Sequence, residues 1–197
     1  MPDFKSGPPR LVLASGSARR RDLLRQIGIE PSIIDPPHID EHHGARELPL
    51  AYARRMAREK LAEIAPKHRG YWVLAADTVV ACGRRILPKA ETESQARTCL
   101  ELLSGCRHRV LGGIAIAAPD GGTADRVVTT VVAFKRLTPR EIDAYIATGD
   151  WHGKAGGYAI QGHAASFVPW INGSYGNVVG LSLSDTVAML SGLGWRD

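Results

Sequence analysis

Residues 11–14, Leu-Val-Leu-Ala, form a short apolar run that passes directly into Ser15-Gly16-Ser17, the pattern of a buried strand ending in a polar turn. From Ala18 the period becomes helical, with Leu23, Leu24 and Ile27 on one face and Gly28 where a left-handed C-cap is wanted. Ser32-Ile33-Ile34-Asp35 predicts a second strand closed by Pro36-Pro37, and an irregular stretch follows over 38–47. Leu50, Ala53, Met56, Ala57, Leu61 and Ile64 recur at helical spacing, with Arg54, Arg55, Arg58, Glu59 and Lys60 mostly around the other face, so an amphipathic helix ended by Pro66 is expected. Residues 71–82 are apolar except for one charge, Asp77, which predicts a central strand buried on both faces. Thr92 with Gln95 three residues on is a capping box for a helix carrying Ala96, Leu100 and Leu103 and closed by Ser104-Gly105. Strands over 109–118 and 126–134 flank Pro119-Asp120-Gly121-Gly122, which is hairpin turn chemistry. Thr138, Pro139 and Glu141 mark the start of a helix through Ala147, a glycine-rich stretch runs over 149–162, and a closing helix carries Val187 and Leu190. Strands and helices alternate before a hairpin intervenes, so the fold class expected is α/β with a mixed β-sheet flanked by helices. With no internal repeat or linker, a single domain over 10–197 behind a flexible leader of residues 1–9 is the expected organisation.

Composition narrows the class without changing this picture. A chain of 197 residues supports one sizeable core, or two small lobes sharing a cleft. At 44% hydrophobic and 23% charged residues it is not disordered, collagen-like or a coiled coil. No stretch reaches the ~18 apolar residues of a transmembrane span, and no signal-peptide pattern opens the chain, so a cytoplasmic location is expected. Cys82, Cys99 and Cys106 form no C-x-x-C pair and read as buried thiols. A net charge of +5 favours encounter with polyanions, nucleotides and nucleic acids included.

Several constellations could carry chemistry. The strand leading through Ser15-Gly16-Ser17 into a helix that begins Arg19-Arg20-Arg21 gathers backbone N–H groups, hydroxyls and guanidinium forks at a helix N-terminus, an anion site or else a solvated basic turn. Asp77, in the middle of an apolar strand, must be paired, hydrogen-bonded or on a metal, and at the sheet's carboxyl edge it would be a natural base or metal ligand. Thr78 points to the opposite face of a regular strand, so both should serve one pocket only near a bend. Lys60, Lys89 and Lys154 are candidates for a phosphate clamp; Asp40 and Glu41 are candidate metal or water ligands. His38, Glu41 and His42 match H-x-x-E-H, but Pro36-Pro37 before and Gly44 after leave no room for the helix that a zinc site of that type needs. Gln161, among small and apolar neighbours, is the kind of group that reads an amide-like base edge, or else an ordinary loop glutamine.

Taken in order along the chain, these segments resemble the Maf family of nucleoside triphosphate pyrophosphatases. The resemblance lies in Leu13-Ala14-Ser15-Gly16-Ser17-Ala18-Arg19-Arg20 with Leu23-Leu24, in Asp40-Glu41, Ala57-Arg58-Glu59-Lys60 and Ala76-Asp77-Thr78-Val79-Val80. Leu103-Ser104-Gly105, the run from Lys154 to Gly162 and Val178-Val179-Gly180-Leu181 continue it. It implies two lobes around a nucleotide-binding cleft, and hydrolysis between the α and β phosphates with a divalent metal cation, Mg2+ or Mn2+. By the same resemblance Asp77 is the catalytic carboxylate and a metal ligand with Glu41, and Ser15, Arg20, Lys60, Lys89 and Lys154 are the phosphate-binding set. Arg19, Thr78 and Gln161 match the specificity positions of a dTTP and UTP branch rather than those of the sister branch acting on 7-methyl-GTP. Ala18, Ala90, Gly112 and Ser182 depart from the family pattern, which has proline, proline, threonine and proline there. The partner implied is the nucleoside triphosphate, with no membrane; a homodimer is left open. The rival from another class is a non-catalytic nucleic-acid-binding or cell-division regulatory protein. Aromatics at 6%, not interleaved with the basic runs, argue against stable nucleic-acid binding.

Overall fold

The structure, a computed structural model, describes residues 10–196; the leader expected over residues 1–9 lies outside the described residues. β1 (Leu11–Ala14) is wholly buried and leads through Ser15-Gly16-Ser17 into α1 (Ala18–Gln26). Gly28 beyond it takes φ 77°, the left-handed conformation that ends the helix without a Cβ penalty. β2 (Ile33–Ile34) lies parallel to β1, and α2 (Pro49–Ile64) follows the irregular loop. A 3-10 turn, Ala65–Lys67, holds Pro66 where the α-helix has already stopped. β3 (Trp72–Cys82), β4 (Arg85–Leu87), β5 (Lys89–Ala90), α3 (Glu93–Leu103), β6 (Arg107–Ala117), β7 (Thr123–Ala133) and α4 (Pro139–Thr148) come next. Both predicted capping boxes form, with Thr92 and Thr138 accepting from the N3 amide and Gln95 and Glu141 reaching back. β8 (Lys154–Ala155), β9 (Trp170–Asn172), α5 (Tyr175–Val179) and α6 (Leu183–Gly192) complete the chain.

The main sheet has the order β2-β1-β3-β6-β7-β9, with β4 also on β3. β1, β2 and β3 are parallel and the remaining pairs antiparallel, so the sheet is mixed, as expected. Two helical layers flank it. The face bearing Val73, Ala75, Val79 and Ala81 packs on Ala53, Met56, Ala57 and Leu61 of α2, while the face bearing Trp72, Leu74 and Ala76 packs on α1 and α6. A separate core gathers α3, α4 and the glycine-rich segment around Phe134, Tyr145 and Tyr158, which gives a second lobe. No helix among the described residues is long and apolar enough to cross a membrane.

The feature that positions the site is a gap along one edge of β3. β1 pairs with β3 only as far as Ala14 opposite Ala75, and β4 pairs with it only from Val80 opposite Leu87 onward. Residues 76–79 therefore have a neighbour strand on the β6 side alone. Opposite Asp77 and Thr78 stand Gly113 and Gly112. A Cβ on Gly113 would lie 2.1 Å from the Ala53 carbonyl oxygen, so its absence lets α2 press onto the Asp77 face. A Cβ on Gly112 would lie 1.9 Å from Asn177 Oδ1, so α5 approaches equally closely on the Thr78 face. Asn177, wholly buried, donates through Nδ2 to the Val110 and Val128 carbonyls and to Thr130 Oγ1.

The structure corrects several readings. Lys60 is not on the solvent face of its helix but 5% exposed, drawn in by two carboxylates. Ile27, Leu50 and Val187 face outward. Of the thiols only Cys99 is buried; Cys82 is half-buried and Cys106 exposed, because Cys106 sits in the turn before β6.

Candidate active site

A cleft of about 570 Å³ opens at the β3 gap between the two lobes. Ten of the residues proposed from sequence line it: Ser15, Arg19, Arg20, Glu41, Lys60, Asp77, Thr78, Lys89, Lys154 and Gln161; Arg21 and Asp40 do not, Asp40 being exposed and turned to His42. Asp77 and Thr78 come from β3, Lys60 from α2, Arg19 and Arg20 from the first turn of α1, and Glu41 from the loop before α2. Lys89 and Lys154, 65 residues apart in sequence, arrive together because β5 and β8 pair, Lys89 opposite Ala155 and Ala90 opposite Lys154. Within that ladder Ala90 is buried, and its carbonyl accepts from the Gly153 amide.

On the α2 face the geometry is an acid–base pair with a third member. Lys60 Nζ stands 2.6 Å from Asp77 Oδ1 and 2.7 Å from Glu41 Oε1, and Lys89 also donates to Glu41. Asp77 is 4% exposed. Its Oδ2 has no hydrogen bond among the described residues, which leaves an oxygen for a ligand or water. Burial pushes the Glu41 carboxyl up, but hydrogen bonds from Lys60 and Lys89 outweigh it and hold the pKa down at about 2. On the opposite face Arg20, nearly buried, donates from Nε to the Gly180 carbonyl at 3.0 Å. Its Nη1 donates to Ser15 Oγ at 2.8 Å and its Nη2 to Thr78 Oγ1 at 3.2 Å. Three of its five N–H groups are thereby engaged and two remain for an anion. Burial lowers the Arg20 pKa, the Asp77 charge works against that, and Arg19 beside it adds to it. Arg19 Nε is buried with no partner among the described residues, an unsatisfied donor at the cleft wall.

The Maf-like protein family matches residues 10–193, nearly the whole of the chain. The chain belongs to the Maf-like family. A dTTP/UTP pyrophosphatase of Rhodospirillum rubrum is 60% identical over 97% of this chain and 90% of its own. One of Paramagnetospirillum magneticum is 62% identical over 94% of this chain and 97% of its own, and one of Caulobacter vibrioides 55% identical over 95% and 97%. Among solved structures, a dITP/XTP pyrophosphatase of Mycobacterium abscessus overlaps 65% of this chain and 74% of its own at 15% identity and a TM-score of 0.40, a likeness too slight to bear on the fold.

In this Maf-like chain the donor set suits a hard divalent cation. Two carboxylates converge on a single point, now held by the Lys60 ammonium, and no third His, Cys, Asp or Glu joins them among the described residues. A cation of the Mg2+ type takes one or two carboxylates and completes its shell with phosphate and water oxygens, so Glu41 and Asp77 fit it. Residues 38–47 form no helix, and His42 Nδ1 is turned to Asp40 at 2.5 Å. Gln161 is exposed at the cleft rim with no hydrogen bond among the described residues. The turn that carries it is fixed instead by Asp150, whose Oδ2 accepts from the His163 amide and from Nδ1 and lies 2.7 Å from where a Cβ at 162 would stand. Asp150 and the Gly180 carbonyl were not legible as site components; a backbone acceptor has no residue signature.

Proposed function

We propose that this Maf-like protein hydrolyses nucleoside triphosphates, dTTP and UTP foremost, to the monophosphate and pyrophosphate. The observation that carries the reading is one cleft in which two carboxylates meet five cationic side chains, in a chain more than half identical to proteins named dTTP/UTP pyrophosphatases. The cations Arg19, Arg20, Lys60, Lys89 and Lys154 neutralise the triphosphate, Arg20 with the two N–H groups it has to spare. Asp77 Oδ2 orients a water and takes its proton as the water oxygen attacks the α phosphorus; the α–β bridging bond breaks and its electron pair leaves with pyrophosphate. Glu41 and Asp77 would hold the divalent cation, Mg2+ or Mn2+, which when bound supplies Lewis-acid stabilisation of phosphate charge. Gln161, able to donate and accept, faces a pyrimidine edge, with Arg19 and Thr78 shaping the pocket beside it. Three unpaired thiols suit work in the reducing cytoplasm.

Pyrophosphate release across a panel of dTTP, UTP, CTP, GTP and 7-methyl-GTP, with Mg2+ or Mn2+, tests the reading. Release from dTTP and UTP that falls at least a hundredfold in Asp77→Asn, with nucleotide binding retained, is expected. Preference for 7-methyl-GTP refutes the branch, and undiminished turnover in Asp77→Asn refutes the role of that carboxylate.

A further inference from the structure

The loop that carries Glu41 is irregular and largely exposed, yet Glu41 meets Lys60 at 2.7 Å, and something must hold it there. Two side chains of α2 do so from the turns preceding Lys60. Tyr52, 9% exposed, donates its hydroxyl to the Glu41 carbonyl at 2.5 Å. Arg55 Nη2 donates to the next carbonyl, that of His42, at 3.0 Å. Its guanidinium also grips Glu47, at the far end of the loop, through Nε and Nη2, both at 2.7 Å, and Glu47 Oε2 in turn accepts from the Gly44 amide. The Arg55 guanidinium lies over the Tyr52 ring, 5.4 Å from its centroid, so the two anchors brace each other.

We infer that Tyr52 and Arg55 are positioning residues that fix the Glu41 carboxylate on the same rigid helix that presents Lys60. Neither side chain itself lines the cleft. A flexible loop pays an ordering cost whenever its ligand must be in place, and tying Glu41 and His42 by their carbonyls removes that cost while leaving the carboxylate free to face the cleft. The inference rests on the proposed role of Glu41 at the cation and phosphate site.

The test uses Tyr52→Phe, which removes one oxygen, and Arg55→Lys, which keeps charge but not the fork, each alone and in a Glu41→Gln background. Hydrogen exchange of the intact protein should show residues 41–47 exchanging at least tenfold faster in both single variants, with α2 itself unchanged. Each variant should lose ~10- to 100-fold in kcat, the range seen when groups that orient a metal ligand are removed, with KM for dTTP altered less than about threefold. Mn2+ affinity in the presence of α,β-imido-dUTP, read by electron paramagnetic resonance of free Mn2+, should fall in parallel. In the Glu41→Gln background neither substitution should lower kcat further. Losses that multiply in that background, or loop exchange equal to wild type, overturn the inference. Failure of the wild type to release pyrophosphate would overturn the proposed function, and loop exchange would still decide the anchoring.

Discussion

Removing the ammonium from the Lys60–Asp77 pair is the sharpest perturbation of this site. Lys60→Met keeps the apolar stem that lies along α2 and deletes the charge. Both partners of the pair have side chains only 6% exposed, so Asp77 would be left as a buried carboxylate facing a second one, Glu41. Taking one member from a buried pair costs about 3–5 kcal/mol, most of it the desolvation of the stranded charge. The Glu41 bond adds little to that figure, because its side chain is 38% exposed and water screens it. Asp77→Asn should cost less, about 1–2 kcal/mol, since an amide oxygen still accepts from Lys60 and Glu41 still balances its charge. The double variant should then lose close to what Asp77→Asn loses alone, because no unpaired charge remains. The assay is urea unfolding of the four proteins at pH 7.5, with equal m-values required before midpoints are compared. A double-variant loss equal to the sum of the single losses, or a cost below about 1 kcal/mol for Lys60→Met, refutes the reasoning: the two groups would not be a coupled buried pair.

Three further outcomes are expected. His108 is 1% exposed, with Nε2 2.8 Å from the Tyr158 hydroxyl, and burial pushes its pKa down to about 4 from 6.5. The unfolded chain therefore binds a proton in this window that the folded one refuses, so unfolding free energy should be full above pH 6.5 and fall by up to ~3 kcal/mol toward pH 4, a slope that His108→Gln should flatten in urea titrations. Gly113→Ala should destabilise by about 1–3 kcal/mol in the same assay, since its Cβ meets the Ala53 carbonyl at 2.1 Å and α2 must move away from the sheet. Gln161→Glu should cut kcat/KM for dTTP and UTP relative to GTP by roughly 10-fold or more, because a carboxylate would face the carbonyl edge of the pyrimidine; a uniform loss across the panel would mark loop damage instead.

How much was legible followed from how many local signals agreed. The helices begun at Thr92 and Thr138 were marked by capping boxes as well as by period, and both formed within a residue of expectation. The hairpin of β6 and β7 was marked by its turn, Pro119-Asp120-Gly121-Gly122, between two strand segments. β4, β5, β8 and α5 were not seen, because two to five residues carry no period and their pairing is decided by distant chain. Lys60 was placed on the polar face of its helix, though also named as a phosphate-clamp candidate, for a related reason: a lysine reads as polar, and only Asp77 and Glu41, 17 and 19 positions away, turn it inward. The cleft residues were singled out from their local patterns, and the resemblance supplied their individual roles. Composition and spacing alone reached a phosphorylated ligand, while Tyr52 and Arg55 passed as part of an ordinary amphipathic helix.

The expectation that Asp77 and Thr78 could share a pocket only at a bend assumed that a pocket lies on one face of a sheet. β3 carries no bulge there: its register with β6 is unbroken from Val73 opposite Ala117 to Ala81 opposite Arg109. The strand keeps the two side chains on opposite faces, and the cleft reaches both because the neighbouring strands stop short and leave the edge at 76–79 open. A cleft that straddles a strand edge has two walls fixed by one backbone. Asp77, Lys60 and Glu41 form the wall on the α2 side, and Thr78, Arg20 and the Gly180 carbonyl form the wall on the α5 side. In the proposed function this places the group that handles water and the group that frames the ligand one residue apart on a central strand, so their separation is set by covalent geometry and sheet hydrogen bonding rather than by loop packing. Glu41 alone among the charged groups on the α2 side reaches the cleft from an irregular loop, which is why that loop is the one tied down by its carbonyls.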